Sequence, residues 1–184
     1  MKKRVFTGCA TALVTPFNDD CSVNYPRLRQ LVDEQIKGGV DALVICGTTG
    51  ESATLDNDEH IRVLEEAVLA ADKRVPIIAG TGSNDTMYAA QLSQHAEALG
   101  VDALLMVTPY YNKTSQTGLI NHYFYIADRV KTPTMFIHSD QDYRCWIAEP
   151  IQMFYALKLH GVETRFLLFH GEHHGLPIFG KPSH

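Results

Sequence analysis

A parallel α/β fold is predicted by three features of this sequence. Short aliphatic runs alternate with stretches of helical period, the runs are too apolar for strands wetted on one face, and glycines stand where the helical stretches should end. The runs are Ala10 to Val14, Ala42 to Cys46, Val75 to Ala79, Ala103 to Val107, Thr134 to Ile137 and Arg165 to Phe169. Continuous apolar character of this kind suits a strand covered on both faces, as in a parallel sheet.

Between the runs, apolar residues recur at helical spacing: Leu28, Leu31, Val32 and Ile36; Ile61, Leu64 and Val68; Ala89, Leu92, Ala96 and Leu99; Ile120, Tyr123, Phe124 and Ala127. Each set forms one stripe that can cover a sheet. Asp56 followed by Glu59 has the spacing of a capping box, and Gly38, Gly100 and Gly161 are candidate helix stops. Repeated βα units with right-handed crossovers leave two architectures, a segment of a (β/α) barrel or an open doubly wound sheet. Six strands are too few to close an eight-stranded barrel.

A chain of 184 residues that is 45% hydrophobic and 20% charged has an ordinary globular composition, and a single α/β domain over residues 1–184 is expected. The net charge of -5, with both signs interspersed, supplies no cationic face for nucleic acid or an acidic membrane. The basic start Met1-Lys2-Lys3-Arg4 leads into no signal-peptide core, and no stretch is long enough to span a bilayer, so a cytoplasmic location is expected. Cys9, Cys21, Cys46 and Cys145 form no C-x-x-C pair and read as reduced thiols. No cofactor is expected.

Polar residues gather after three consecutive runs: Gly47-Thr48-Thr49-Gly50-Glu51, Ala79-Gly80-Thr81-Gly82-Ser83-Asn84, and Thr108-Pro109-Tyr110-Tyr111-Asn112-Lys113. Carboxyl ends of strands are where α/β folds bind ligands. Through these motifs, with Thr15-Pro16-Phe17 ending the first run, the chain from about Phe6 to about Pro133 resembles dihydrodipicolinate synthase. That family is a (β/α) barrel lyase that condenses pyruvate with aspartate semialdehyde through a lysine Schiff base. The resemblance implies that Thr48 and Thr49 bind the pyruvate carboxylate and relay a proton, and that Tyr111 is a relay tyrosine borrowed across a dimer interface. A carboxylate calls for such hydroxyl and N–H donors, and a relay calls for hydroxyls near the reacting carbonyl. The same glycines and tyrosines also serve simply as tight turns and packing at a sheet edge.

The family's next strand carries a tyrosine where this chain has Ile137, and its Schiff-base lysine belongs on a strand that here reads Thr164-Arg165-Phe166-Leu167-Leu168-Phe169. Among the remaining lysines, Lys113 follows a strand-end motif and reads as a solvated loop residue.

From about Thr132 to the last residue the chain resembles the prolyl-oligopeptidase-type hydrolases, especially acylaminoacyl peptidases. The likeness is carried by Thr132-Pro133-Thr134-Met135-Phe136-Ile137-His138, Asp142-Tyr143-Arg144 and Gly171-Glu172-His173-His174-Gly175. It implies Asp142 as a triad acid and His174 as a triad base, but no Gly-x-Ser-x-Gly elbow supplies a serine. His170, Glu172, His173 and His174 cluster in loop spacing, which suits adventitious rather than designed metal binding.

The two resemblances together imply a chimaera, engineered or made by gene fusion. It comprises an aldolase half-barrel segment over 1–131, a hydrolase βαβ segment over 132–170 and a disordered tail over 171–184. The expected fold is half of a (β/α)8 barrel extended by an α/β-hydrolase βαβ unit, arranged as an open doubly wound sandwich or an incomplete barrel. No intact active site is expected: Thr48, Thr49 and Tyr111 are vestiges of the lyase, Asp142 and His174 of the hydrolase. The alternatives are a residual pyruvate lyase or small-anion site with Thr48 and Thr49 as binding residues, and a weak serine-hydrolase-like esterase. Expected partners are pyruvate or another small anion, held weakly, and a second copy docking through exposed sheet edges.

Overall fold

A computed structural model of the protein describes residues 5–112, 114–143, 147–159, 161–162 and 164–171, with the backbone alone for 135, 137–139, 149, 167 and 169. Strands and helices alternate strictly: β1 (Ala10–Ala12), α1 (Tyr25–Lys37), β2 (Ala42–Ile45), α2 (Asn57–Ala71), β3 (Ile77–Gly80), α3 (Thr86–Leu99), β4 (Ala103–Leu105), α4 (Gln116–Ala127), β5 (Thr134–Ser139), α5 (Ala148–Leu159) and β6 (Thr164–Phe169). A short 3-10 turn, Thr48–Gly50, follows β2.

Local chemistry explains the helix starts. Asp56 accepts from the Glu59 N–H while the Glu59 carboxylate accepts from the Asp56 N–H, so the capping box at α2 is complete. Asn24, Asp85 and Ser115 cap α1, α3 and α4 in the simpler way, each accepting a first-turn N–H. Gly100 and Gly161 take left-handed φ values of 81° and 76° after their helices; after α1 that conformation falls on Gly39, at 89°, and not on Gly38.

The six strands pair in parallel in the order β1-β2-β3-β4-β5-β6. Strands that pair strictly in chain order, each reached by a right-handed crossover, carry all their helices on one face. The expected doubly wound sandwich is therefore corrected, because such a sheet must reverse its strand order to place helices on both faces. The expected hydrolase unit is corrected too: β5 and β6 are not a separate module but the next two strands of one singly wound (β/α) sheet.

A repeated joint underlies this regularity. Gly39-Val40-Asp41-Ala42-Leu43 leads into β2 and Gly100-Val101-Asp102-Ala103-Leu104 into β4, while Gly161-Val162 leads into β6, and the three glycines are evenly spaced along the chain. In the first two joints the aspartate brackets the preceding strand. Asp41 N–H donates to Cys9 O at 2.8 Å while its Oδ2 accepts from Cys9 N–H at 2.8 Å, and Asp102 does the same to Ile77 at 2.9 Å each way. Each bracket satisfies an N–H and a C=O at the start of a buried ladder, where leaving them unpaired is costly.

Strand alternation divides the core. Leu43, Ile45, Ile77, Ala79 and Leu104 pack with Leu28, Val32, Val63, Leu64, Leu92 and Ala96 of the helices. Ala42, Val44, Ile78 and Ala103 form the opposite face, where Val5 and Phe6 of the amino-terminal segment pack against them. A separate cluster joins Leu119, Tyr123, Met153 and Leu157 of α4 and α5 to Phe136 of β5. No helix among the described residues is long and apolar enough to cross a membrane. The expected tail falls mostly on 172–184, outside the described residues.

Candidate active site

Because every strand runs the same way, the βα loops assemble at one edge of the sheet. β2 is followed by Cys46, whose φ of 55° is left-handed, and the chain then turns through Gly47 into the Thr48–Gly50 turn and out through Glu51 at φ 56°. Non-glycine residues in this conformation store strain, which is common at functional sites. Thr15, just after β1, holds the turn in place: its Oγ1 donates to Gly50 O at 2.7 Å in a buried contact.

The next loop has no room for side chains at its glycines. A Cβ on Gly80 would stand 2.0 Å from Cys46 O, and one on Gly82 would stand 2.4 Å from Val107 N. These two positions let the end of β3 lie between the ends of β2 and β4, and Thr81 N–H continues the ladder to Leu105 O at 3.0 Å. The third loop is tied to the second by a reciprocal pair, Asn84 Nδ2–H to Tyr110 O at 3.3 Å and Asn112 Nδ2–H to Asn84 O at 3.2 Å.

Beside these loops lies a cavity of about 680 Å³ lined by Cys46, Thr48, His60, Tyr88, Thr108 and Tyr110, among others. His60 comes from the buried stripe of α2, and its Nε2–H donates to Gly80 O at 2.9 Å. Its Nδ1 is buried and without a hydrogen-bond partner among the described residues. Burial holds the His60 imidazole below its ordinary pKa, opposed by the Gly80 hydrogen bond, so it is neutral near pH 7 with Nδ1 as an acceptor. Burial also pushes the Cys46 thiol up to about 12, so it is no nucleophile. The Tyr123 phenol is raised by burial, against the effect of its hydrogen bond with Thr108.

The residues proposed from sequence are distributed unevenly. Thr48 lines the cavity, and Thr49 is exposed beside it. Tyr111 points fully into solvent with a left-handed φ of 68°, whereas its neighbour Tyr110 faces the cavity. Asp142 is buried, and His174 lies outside the described residues, as do Lys113 and Glu172 to His174 of the histidine cluster. Instead, Asp140 pairs with His170: Asp140 Oδ2 accepts from His170 Nδ1 at 2.9 Å. No group of three or more metal-ligating side chains occurs among the described residues.

Sequence reasoning missed His60 and the Asp140–His170 pair. For His60 a signal existed, since it stands one helical turn from Leu64 on the apolar stripe of α2.

Comparison with known proteins accounts for this architecture. A sequence model of the dihydrodipicolinate synthetase family matches residues 5–144. The 4-hydroxy-tetrahydrodipicolinate synthase of Acetivibrio thermocellus is 50% identical over 135 residues, covering 73% of this chain and 46% of that protein. That of Geobacter metallireducens is 54% identical over 129 residues, covering 70% and 44%. Among solved structures, the chloride-inhibited dihydrodipicolinate synthase of Acinetobacter baumannii, complexed with pyruvate, superposes with a TM-score of 0.70 at 44% identity, over 74% of this chain and 47% of that one. A prophage protein of the dihydrodipicolinic acid synthase family from E. coli K12, also in complex with pyruvate, superposes with a TM-score of 0.74 at 28% identity, over 90% and 64%. The chain spans about half the length of the curated relatives it matches.

These findings overturn the chimaera. The family match crosses the supposed junction near Thr132, and a superposition over 90% of the chain takes in β5 and β6 as strands of the same fold. One family thus accounts for both sides of the supposed junction, and the hydrolase ancestry read into Asp142 and His174 is corrected together with the esterase alternative. The reading of a degenerate, inactive protein falls with it.

Proposed function

The chain belongs to the dihydrodipicolinate synthetase family, and from that premise we propose that it handles pyruvate as a lyase of the dihydrodipicolinate synthase type. The pyruvate carboxylate sits on the Thr48–Gly50 turn. The observation that carries this reading is the construction of that turn: two exposed hydroxyl residues, Thr48 and Thr49, stand on main chain anchored by Thr15 and flanked by Gly80, where no side chain fits. Anchored hydroxyl donors at a strand end can meet a small carboxylate without reorganising. The pyruvate complexes of two relatives support the same ligand here.

The family's imine requires a lysine amine, and β6 carries no lysine. The amine is to be found by trapping. The protein is incubated with pyruvate, reduced with borohydride and read by intact mass and peptide mapping. The expected result is one adduct on one lysine, together with saturable pyruvate binding in a calorimetric titration. Absence of saturable binding overturns the reading. Self-association through the outer strands β1 and β6 is part of the same proposal, and sedimentation velocity tests it.

A further inference from the structure

α4 carries a phenol that is held in the core and bonded to the cavity wall. Tyr123 is 5% exposed and packs with Leu119, Met153 and Leu157; its ring stands edge-on to His122 at 5.3 Å and tilted on Phe136 at 6.3 Å between centroids. Burial keeps the phenol protonated, and a buried O–H requires an acceptor. Among the described residues its partner is Thr108, which lines the cavity. Tyr123 Oη–H therefore donates to Thr108 Oγ1.

Thr108 itself is exposed. With one lone pair of Oγ1 taken by the phenol, its own O–H is turned away from Tyr123 and free to donate to a ligand in the cavity. Ser83 Oγ, also on the lining, is fixed by the Asp85 N–H at 3.1 Å, but Ser83 is 7% exposed. The position of Thr108 suits the Thr48–Gly50 turn. Only β3 separates β4 from β2, and a Cβ on Gly47 would stand 3.8 Å from Leu105 Cδ2, so the ends of β2 and β4 approach one another past Gly80. Thr48 follows Gly47, and Thr48, Leu105 and Thr108 line the same cavity. A ligand seated by its carboxylate on the turn directs its remaining atoms into that space.

We propose that Thr108 is a further binding residue of the pyruvate site, its hydroxyl donating to the C2 carbonyl oxygen, and that Tyr123 is its positioning residue; the inference rests on the pyruvate reading above. A phenol locked among core side chains holds the donor ready, so no hydroxyl has to turn when the ligand arrives. The same donor separates a 2-oxo acid from a carboxylate that lacks the C2 oxygen, whereas the turn alone holds both.

The test is a calorimetric pyruvate titration of the wild type, Thr108→Val, Thr108→Ser, Tyr123→Phe and the double variant Thr108→Val/Tyr123→Phe, with circular dichroism checking the fold of each. Thr108→Val should weaken pyruvate about 5-fold, the usual worth of one neutral hydrogen bond, while Thr108→Ser keeps the affinity. Tyr123→Phe should weaken it roughly 3-fold, as the released hydroxyl proton spreads over three staggered positions. The double variant should bind no more weakly than Thr108→Val, because Tyr123 acts only through Thr108; a loosened core would weaken binding with or without that hydroxyl. If Tyr123→Phe fails to fold, the two Thr108 variants decide the donor by themselves. Unchanged affinity in Thr108→Val, or a Tyr123→Phe loss that persists in full on the Thr108→Val background, overturns this inference and leaves the pyruvate site standing. Failure of the wild type to bind pyruvate overturns the underlying reading instead.

Discussion

The first four strands and the last two are held by different means. β1 to β4 pack on small and aliphatic side chains, with Ala42, Leu43, Ile78, Ala79, Ala103 and Leu104 fully enclosed. β5 and β6 rest on rings: Phe136, Phe154 and Phe166 stand with centroids 5.6 to 6.3 Å apart. Between the two regions the ladder thins to one register pair, Leu104↔Thr134, whereas β5 and β6 are paired along their whole length. The seam is bridged from the end of α3. Glu97 Oε2 accepts from Thr132 N–H at 2.7 Å, from Thr132 Oγ1–H at 3.0 Å and from Lys131 N–H. A helix-borne carboxylate thus holds together what strand pairing alone leaves loose.

The largest effect is expected inside the first region. Gly80→Ala places a methyl group against Cys46 O in a strand with no slack, and should lose about 3 kcal/mol or more in urea unfolding. A loss below about 1 kcal/mol would show that this region yields as readily as the second.

At the seam, Glu97→Ala removes the acceptor of three hydrogen bonds and should cost about 2 kcal/mol. Hydrogen exchange sharpens the contrast: amides of β5 and β6 should lose protection while those of β2 and β3 keep theirs. Burial raises the Glu97 carboxyl, but the bonds from Thr132 and Lys131 outweigh it and leave the pKa lowered. Its contribution is therefore present above the ordinary carboxylate range and lost as pH falls through the lowered value, and Glu97→Gln should flatten that acid limb. Uniform loss of protection across all strands would remove the distinction between the regions.

A smaller effect follows from two buried histidines, one in α2 and one in α4. Burial lowers both His60 and His122, so each is neutral in the fold and protonates more readily in the unfolded chain. Stability should be full above about pH 6.5 and decline as pH falls below it, because the unfolded state then binds more protons. A melting temperature that stays level from pH 8 to pH 5 would contradict this. The smallest change is expected for Thr15→Val, about 1 kcal/mol for the lost bond to Gly50 O, with a several-fold weaker pyruvate titration. Unaltered pyruvate affinity would detach the turn from binding.

The six strands and the first four helices were legible to within a few residues, as were the capping box at Asp56 and the helix stops at Gly100 and Gly161, because burial pattern and caps are local; no stripe was read for α5. The place of Thr48 at a strand end, beside the cavity, was legible for the same reason: its motif lies within one loop. The Asp140–His170 pair was not. Its members lie on different strands, and the chain offers several acids and histidines nearby, Asp142, Glu172, His173 and His174 among them. Reading a hydrolase into residues 132–184 rested on short turn-like phrases around buried strands, which unrelated α/β folds share.

What the sequence determined by itself was the alternation of elements, since a strand enclosed on both faces and a helix with one apolar stripe are each encoded within a dozen or so neighbouring residues. Only the tertiary structure decided the winding of the sheet, the cavity beside Thr48, the partner of His60 and the pairing of Asp140 with His170. Those depend on which strand ends become neighbours, and that is set by crossover hand and ladder register between residues far apart in the chain.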